Sequence, residues 1–137
     1  MTKVMVFGTF DVIHQGHLNF FRQAKKLGDY LIVVIACDRT VEKIKGQQPI
    51  YSETIRKDKV LKTGLPNEVI MGNYPDPYQV IVDNNPDIVA LGYDQNSFTD
   101  NLKEKLEKRG IKTEIVRLNP YHPEKFKSSL IKKAGKT

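Results

Sequence analysis

Five short apolar runs alternate with helix-like segments along this 137-residue chain, and that alternation narrows the possible folds more than any other feature. Val4-Met5-Val6-Phe7 closes on Gly8. Tyr30 to Cys37 is longer and rich in β-branched residues, Glu68 to Met71 closes on Gly72, Asp87 to Leu91 closes on Gly92, and Thr113 to Leu118 is the fifth run. They are continuous instead of alternating apolar with polar, which is how strands covered on both faces read. Between them, Gly16 to Leu27 places Leu18, Phe21, Ala24 and Leu27 on one stripe, with Gly28 as its left-handed stop. Ser52 can cap a helix to Lys62 with Ile55, Lys59 and Leu61 near one face and Gly64 after it. Tyr78 to Asn84 is framed by Pro77 and Pro86. Thr99 or Asp100 can cap Leu102 to Arg109 ahead of Gly110, and Ser128 can open a last helix from Ser129 to Lys133. Lys43 to Pro49 reads as a polar loop. Strands alternating with helices at this spacing predict an α/β fold, a five-stranded parallel sheet covered by helices on both faces.

The length allows one domain, residues 1–137, with 133–137 as a frayed tail. Lys and Arg number 22 against 16 Asp and Glu, a formal charge of +6 that suits either nucleic acid or anionic small molecules. The basic residues are spread along the chain, and the densest group, Lys125, Lys127, Lys132, Lys133 and Lys136, falls at its end, so the small-molecule reading is preferred and no nucleic-acid partner is expected. The single Cys37 cannot form an intrachain disulfide and reads as a buried core thiol in a reducing compartment. No apolar stretch approaches the roughly 18 residues of a membrane span. The first residues lack the apolar region of a secretory signal. A soluble cytoplasmic protein without a membrane partner is the expectation.

In an open parallel sheet, ligands bind outside the carboxyl ends of the strands, and the chemistry-bearing residues of this chain fall there. Gly8-Thr9-Phe10-Asp11-Val12-Ile13-His14-Gln15-Gly16-His17 joins the first strand to the first helix. Gly8 lets the chain leave the strand without a Cβ obstructing a ligand. Gly16 lets backbone at the helix start approach an anion, and His14 and His17, three apart, flank that start, so imidazole and helix N–H groups converge as a polyphosphate requires. A metal-binding reading of the pair lacks Cys, Asp or Glu at ligand spacing to complete a tetrahedral set. A structural reading has to accept that two of only three histidines meet at one glycine-flanked turn. Neither the dinucleotide glycine fingerprint nor the P-loop pattern occurs.

At these residues the chain resembles the H-x-G-H nucleotidyltransferases, in particular the branch with G-T-F-D-x-x-H-x-G-H, which holds glycerol-3-phosphate cytidylyltransferases, the CTP:phosphocholine and phosphoethanolamine enzymes and archaeal-type FAD synthases. The resemblance runs from Val4 to about Lys132. It implies a Rossmann-like fold and transfer of a nucleoside monophosphate: an acceptor phosphate oxygen attacks the α-phosphorus of a nucleoside triphosphate and pyrophosphate leaves. An acceptor phosphate is already an anion, so positioning and charge stabilisation carry the catalysis. The resemblance implies His14, His17, Lys45 and Lys127 as catalytic groups, Gly8, Thr9, Phe10, Asp11 and Gly16 as nucleotide-binding, Mg²⁺ arriving with the triphosphate and no protein metal ligand. Its members are commonly homodimers.

The same resemblance assigns supporting residues, each with a plainer alternative. Asp38 stands where the family has an acidic residue near the active site, or caps a helix from Arg39 to Lys45. Lys43 and Lys45 match a lysine region that can reach phosphates, or are solvated. Arg56 matches an arginine at a helix start that binds phosphate, or pairs with Asp11 or another acid. Gly92, Tyr93, Asp94 and Gln95 match the loop lining the base and ribose pocket, or form a simple turn. Lys127, Ser128 and Ser129 match a second phosphate site at a helix start, or serve as an N-cap.

Gly-Tyr-Asp-Gln and Phe-Lys-Ser-Ser depart from the cytidylyltransferase runs at these places, whereas Gly-x-Asp-Gln, Cys37 to Val41 and Lys45 to Ile50 look like archaeal-type FAD synthases. That resemblance implies ATP and FMN as substrates, with CTP and a polyol phosphate as the alternative pair. A basic nucleotide- or RNA-binding module without turnover is the alternative of another class, and it lacks an RNP-like aromatic run. A flavin ring needs apolar or aromatic walls, for which Phe10, Tyr93, Phe98, Tyr121 and Phe126 are candidates, the plainer alternative being ordinary core or lid residues, which is the preferred reading of Phe10.

Overall fold

All five apolar runs become strands of one sheet in the computed structural model, which describes residues 1–93, 95 and 101–120. β1 (Lys3–Gly8), β2 (Tyr30–Ile35), β3 (Glu68–Met71), β4 (Ile88–Leu91) and β5 (Glu114–Arg117) lie in the order β3-β2-β1-β4-β5, every pairing parallel. The described helices are α1 (Gln15–Lys25), α2 (Asp38–Lys45), α3 (Glu53–Leu61), α4 (Gln79–Asn84) and α5 (Leu102–Glu107).

Alternate strand residues part to opposite faces of the sheet. Val4, Val6, Leu31, Val33 and Ile35 pack with Phe21 and Ala24 of α1 and Val60 of α3. Met5, Phe7, Ile32 and Val34 pack on the other face with Val80 and Ile81 of α4 and Leu102 and Leu106 of α5. Both faces are covered, which is why the strands read as unbroken apolar runs.

The order places a topological switch between β1 and β4, where the chain has built outward to β3 and then crosses to the other side. The β1–β2 ladder runs from Lys3↔Tyr30 to Gly8↔Ile35, but the β1–β4 ladder holds only Val4↔Ile88 and Met5↔Val89. The ladder ends at Met5, and the crevice expected at the carboxyl ends of strands flanking such a switch is where sheets of this kind take ligands.

Several local expectations are corrected. Gly28 does not stop α1, which ends at a right-handed Lys26. A Cβ on Gly28 would sit 2.7 Å from the Thr2 carbonyl oxygen, which accepts from the amides of Asp29 and Tyr30, so close backbone approach explains this glycine. On α3 the buried residues are Arg56 and Val60, while Ile55 and Leu61 are each 46% exposed. Lys43 and Lys45 lie in the last turn of α2 instead of a loop, and Gly46, at φ +77°, closes that helix. Asp38 is the first residue of α2, whose N-cap is Cys37. Cys37 is half-buried with its Sγ 3.2 Å from Thr40 Oγ1, not a core thiol. α5 ends at Glu107 and is preceded by Asn101 at φ +57°. Thr99, Asp100 and the last expected helix, including Ser128 and Ser129, lie outside the described residues.

Candidate active site

The turn from β1 into α1 is held by its own histidines. His14 is the N-cap of α1, in extended conformation at φ −142° and ψ 179°, and its Nδ1 accepts from the Gly16 amide at 3.1 Å. His17, at the third helical position, accepts from the His14 amide through Nδ1 at 3.3 Å. This is a reciprocal capping box, an arrangement usually made by Ser or Thr with Glu or Gln. The three-residue spacing of the two histidines is therefore the spacing that closes a helix start. Gly16 sits between them because a Cβ there would lie 2.9 Å from His14 Cε1. The imidazoles stack with centroids 3.9 Å apart at 18°, and Phe10 meets His17 edge-on at 5.2 Å and 81°.

Because both Nδ1 atoms accept hydrogen bonds, each neutral ring carries its proton on Nε2. Burial holds the His14 imidazole below its usual pKa. Burial first, then His14 and Lys45, lower that of His17 to about 4. At neutral pH the pair is two uncharged donors. His14 Nε2 is buried with no hydrogen-bond partner among the described residues. Such a group costs about 1–3 kcal/mol while unsatisfied, and an anionic oxygen beside a helix N-terminus satisfies it. Lys45 at the end of α2 is exposed, and its charge reaches His17. Lys43 is exposed on the same turn.

Behind the histidines lies a set of fixed contacts. The two Asp11 carboxylate oxygens accept from the amides of Ile50 at 2.6 Å and Tyr51 at 2.8 Å, pinning the segment ahead of α3 to the turn. Arg56 is 0% exposed. Its Nε donates to the Tyr51 carbonyl at 3.0 Å, Nη1 to the Thr9 carbonyl at 2.8 Å and Nη2 to Asp38 at 2.8 Å. Arg56 is thus a buried tie between the turn, α2 and α3, with no exposed nitrogen to offer a phosphate, and its acid is Asp38, not Asp11. The Asp38 amide in turn donates to Glu53 at 2.7 Å, a partner that the sequence pattern does not single out.

The expectation for Gly8 changes. A Cβ on Gly8 would lie 2.5 Å from Phe10 Cζ, so Gly8 makes room for the Phe10 ring and not directly for a ligand. Phe10, at φ +50° and 5% exposed, packs with Phe20 and Phe21 in the core, the reading preferred for it over a flavin wall.

At the far side of the crevice, the Gly92 amide donates to Gln95 Oε1 at 3.1 Å and Gln95 Nε2 donates to the Phe7 carbonyl at 3.2 Å. Gln95 thereby bridges the carboxyl ends of β4 and β1 where their ladder has ended. Arg117 Nη1 donates to the carbonyls of Gly92 and Gln95 at 2.8 and 2.7 Å, a role for β5 that the sequence does not signal. Tyr93 is 57% exposed beside them. Asp94, Phe98, Tyr121, Phe126, Lys127, Ser128 and Ser129 lie outside the described residues.

A family model described as cytidylyltransferase-like matches residues 5–134. The chain belongs to the cytidylyltransferase-like family. Within reach of this family, it is 44% identical over 121 residues to an FAD synthase of Aciduliprofundum boonei, covering 88% of this chain and 80% of that protein. It is 40% identical over 133 residues to an FAD synthase of Thermoplasma acidophilum, covering 97% and 93%. A crystal structure described as a lipopolysaccharide core biosynthesis protein of Thermoplasma volcanium superposes with a TM-score of 0.84 at 37% identity, covering 89% of this chain and 99% of that one. Among the described residues no group of three or more His, Cys, Asp or Glu could hold a metal ion. Among the same residues no helix is long and apolar enough to cross a membrane.

Proposed function

We propose that this chain transfers the adenylyl group of ATP to FMN, forming FAD and releasing pyrophosphate. The observation that carries the reading is its 44% and 40% identity to FAD synthases over most of both lengths. The capped histidine pair supplies the chemistry. An FMN phosphate oxygen forms a bond to the α-phosphorus of ATP as the bond to the bridging oxygen of pyrophosphate breaks. No proton has to be removed from the nucleophile. The Nε2–H groups of His14 and His17 donate to phosphate oxygens on which charge grows, and Lys45 adds a positive charge above them. Two neutral, pre-oriented donors in a desolvated turn need no reorganisation as the charge shifts, and each such donor contributes about 10²–10³ in rate.

The divalent ion belongs to the substrate, as Mg-ATP. The nearby carboxylates are engaged, Asp11 by two backbone amides and Asp38 by Arg56, so phosphate oxygens and water would hold the ion. Gly16 and the start of α1 would face the triphosphate, with Gly92, Asp94 and Gln95 toward the nucleoside and Lys127, Ser128 and Ser129 as a second phosphate clamp. Gly8, Thr9, Phe10, Asp11, Asp38 and Arg56 act on this reading by holding the turn in place. Residues 1–137 form one catalytic domain that works as a cytoplasmic homodimer.

A pyrophosphate-release screen of ATP and CTP against FMN and glycerol 3-phosphate tests the reading. Release with ATP and FMN alone is expected. Release with CTP and glycerol 3-phosphate, without turnover of FMN, would replace it with cytidylyl transfer, and no release with any pair would leave a binding module.

A further inference from the structure

Phe10 is removed from the candidate flavin walls by its burial, and an aromatic platform lies instead where no sequence motif points. Arg39, the second residue of α2, places its guanidinium over the ring of Tyr74, with Cζ 4.6 Å from the centroid. Arg39 follows the carboxyl end of β2 and Tyr74 follows the carboxyl end of β3, so both stand on the ligand-binding edge of the sheet, on the opposite side of β1 from the β1–β4 crevice. Arg39 is exposed and Tyr74 half-buried, with the guanidinium lying over the ring. The segment beneath is fixed: Asp76 Oδ1 accepts from the Tyr78 amide at 3.0 Å and Oδ2 from Arg109 at 2.9 Å, and Arg109 lies over Tyr78 at 5.1 Å.

We propose that the Arg39–Tyr74 stack is the seat of the acceptor's isoalloxazine ring. The inference rests on the FMN reading above and names where that substrate is recognised. A planar, weakly hydrated guanidinium lying over an aromatic ring is a surface on which the face of another flat ring system, such as a flavin, can stack. Two strand spacings, about 10 Å, separate β3 from β1. That span is suited to the polyol arm of FMN, which would leave its phosphate at the His14 and His17 turn while the ring lies on Arg39. The ATP side of the site, toward β4, is then left clear.

The test measures steady-state FAD formation with FMN and ATP varied separately, and FMN binding through quenching of flavin fluorescence, for wild type, Arg39→Lys, Arg39→Ala and Tyr74→Leu. The expected result is a rise of about tenfold in KM and Kd for FMN in Arg39→Ala and Tyr74→Leu, with KM for ATP and kcat within about twofold, corresponding to loss of one stacking contact. Arg39→Lys keeps the charge and loses the plane, so it should resemble Arg39→Ala. Should Tyr74→Leu fail to fold, the exposed Arg39 variants still decide. Wild type that forms FAD, with KM and Kd for FMN unchanged in the Arg39 variants, would overturn the seat and leave the reaction standing. Wild type that neither binds FMN nor forms FAD would overturn both.

Discussion

Replacing His14 by Ser and, separately, by Ala separates its two duties. In the structure its Nδ1 caps α1 through Gly16, and its Nε2 is buried without a partner among the described residues. Serine is a good N-cap and can accept the same helix-start hydrogen bond, whereas alanine cannot. Loss of a cap costs about 1 kcal/mol, which for a domain of this length lowers Tm by about 3–5 °C. Ser also removes the unsatisfied Nε2, whose burial costs about 1–3 kcal/mol in the absence of ligand, and that offsets the loss of stacking on His17. His14→Ser should therefore melt close to wild type and His14→Ala below it. Both variants lack the Nε2–H donor, so both should lose about 10²–10³ in kcat/KM. Thermal unfolding beside chromatographic assay of FAD formation reads the two effects on the same preparations. Recovery of activity by Ser along with recovery of Tm would show that His14 serves only the helix start, and the donor role would be refuted.

Other consequences are equally direct. The His17 pKa falls from 6.5 to about 4 on folding; between those values the unfolded chain binds a proton that the folded chain refuses, so stability drops as pH falls through that window, by up to about 3 kcal/mol. Urea midpoints at pH 7 and 4.5 should show this drop in wild type and a smaller one in His17→Gln. Arg56→Met leaves Asp38 and two carbonyls at the turn without their buried donor, which should destabilise by about 3 kcal/mol in urea unfolding. Gly8→Ala puts a Cβ 2.5 Å from Phe10 Cζ and should cost about 1–3 kcal/mol by overpacking while lowering kcat/KM, because the displaced ring bears on His17; an unaltered kcat/KM would disconnect Phe10 from the site.

The strands were legible because burial on both faces leaves an unbroken apolar run, and the meeting of the two histidines because they fall three apart at one glycine-flanked strand-to-helix turn. The sequence pattern could not show that the same spacing is a capping box, since imidazoles rarely fill one. α3 misleads because its core-facing side carries Arg56: a buried guanidinium looks polar in sequence, and its three acceptors at Tyr51, Thr9 and Asp38 come together only in the folded chain. Gly8 and Gly28 each have a sound local explanation, yet the deciding contact in each case is a neighbour that the local pattern does not identify, the Phe10 ring and the Thr2 carbonyl. Arg39 and Tyr74 sit 35 positions apart, and only the β2–β3 pairing brings them together.

The central claim is adenylyl transfer to FMN at the His14 and His17 turn, and the fate of the α-phosphorus tests it most directly. With ATP labelled at the α-phosphate and FMN present, the label should appear in FAD and not in pyrophosphate, and His14→Ser should slow its appearance by about 10²–10³. Label that remains in ATP or is released as AMP while FMN is unchanged would contradict the account.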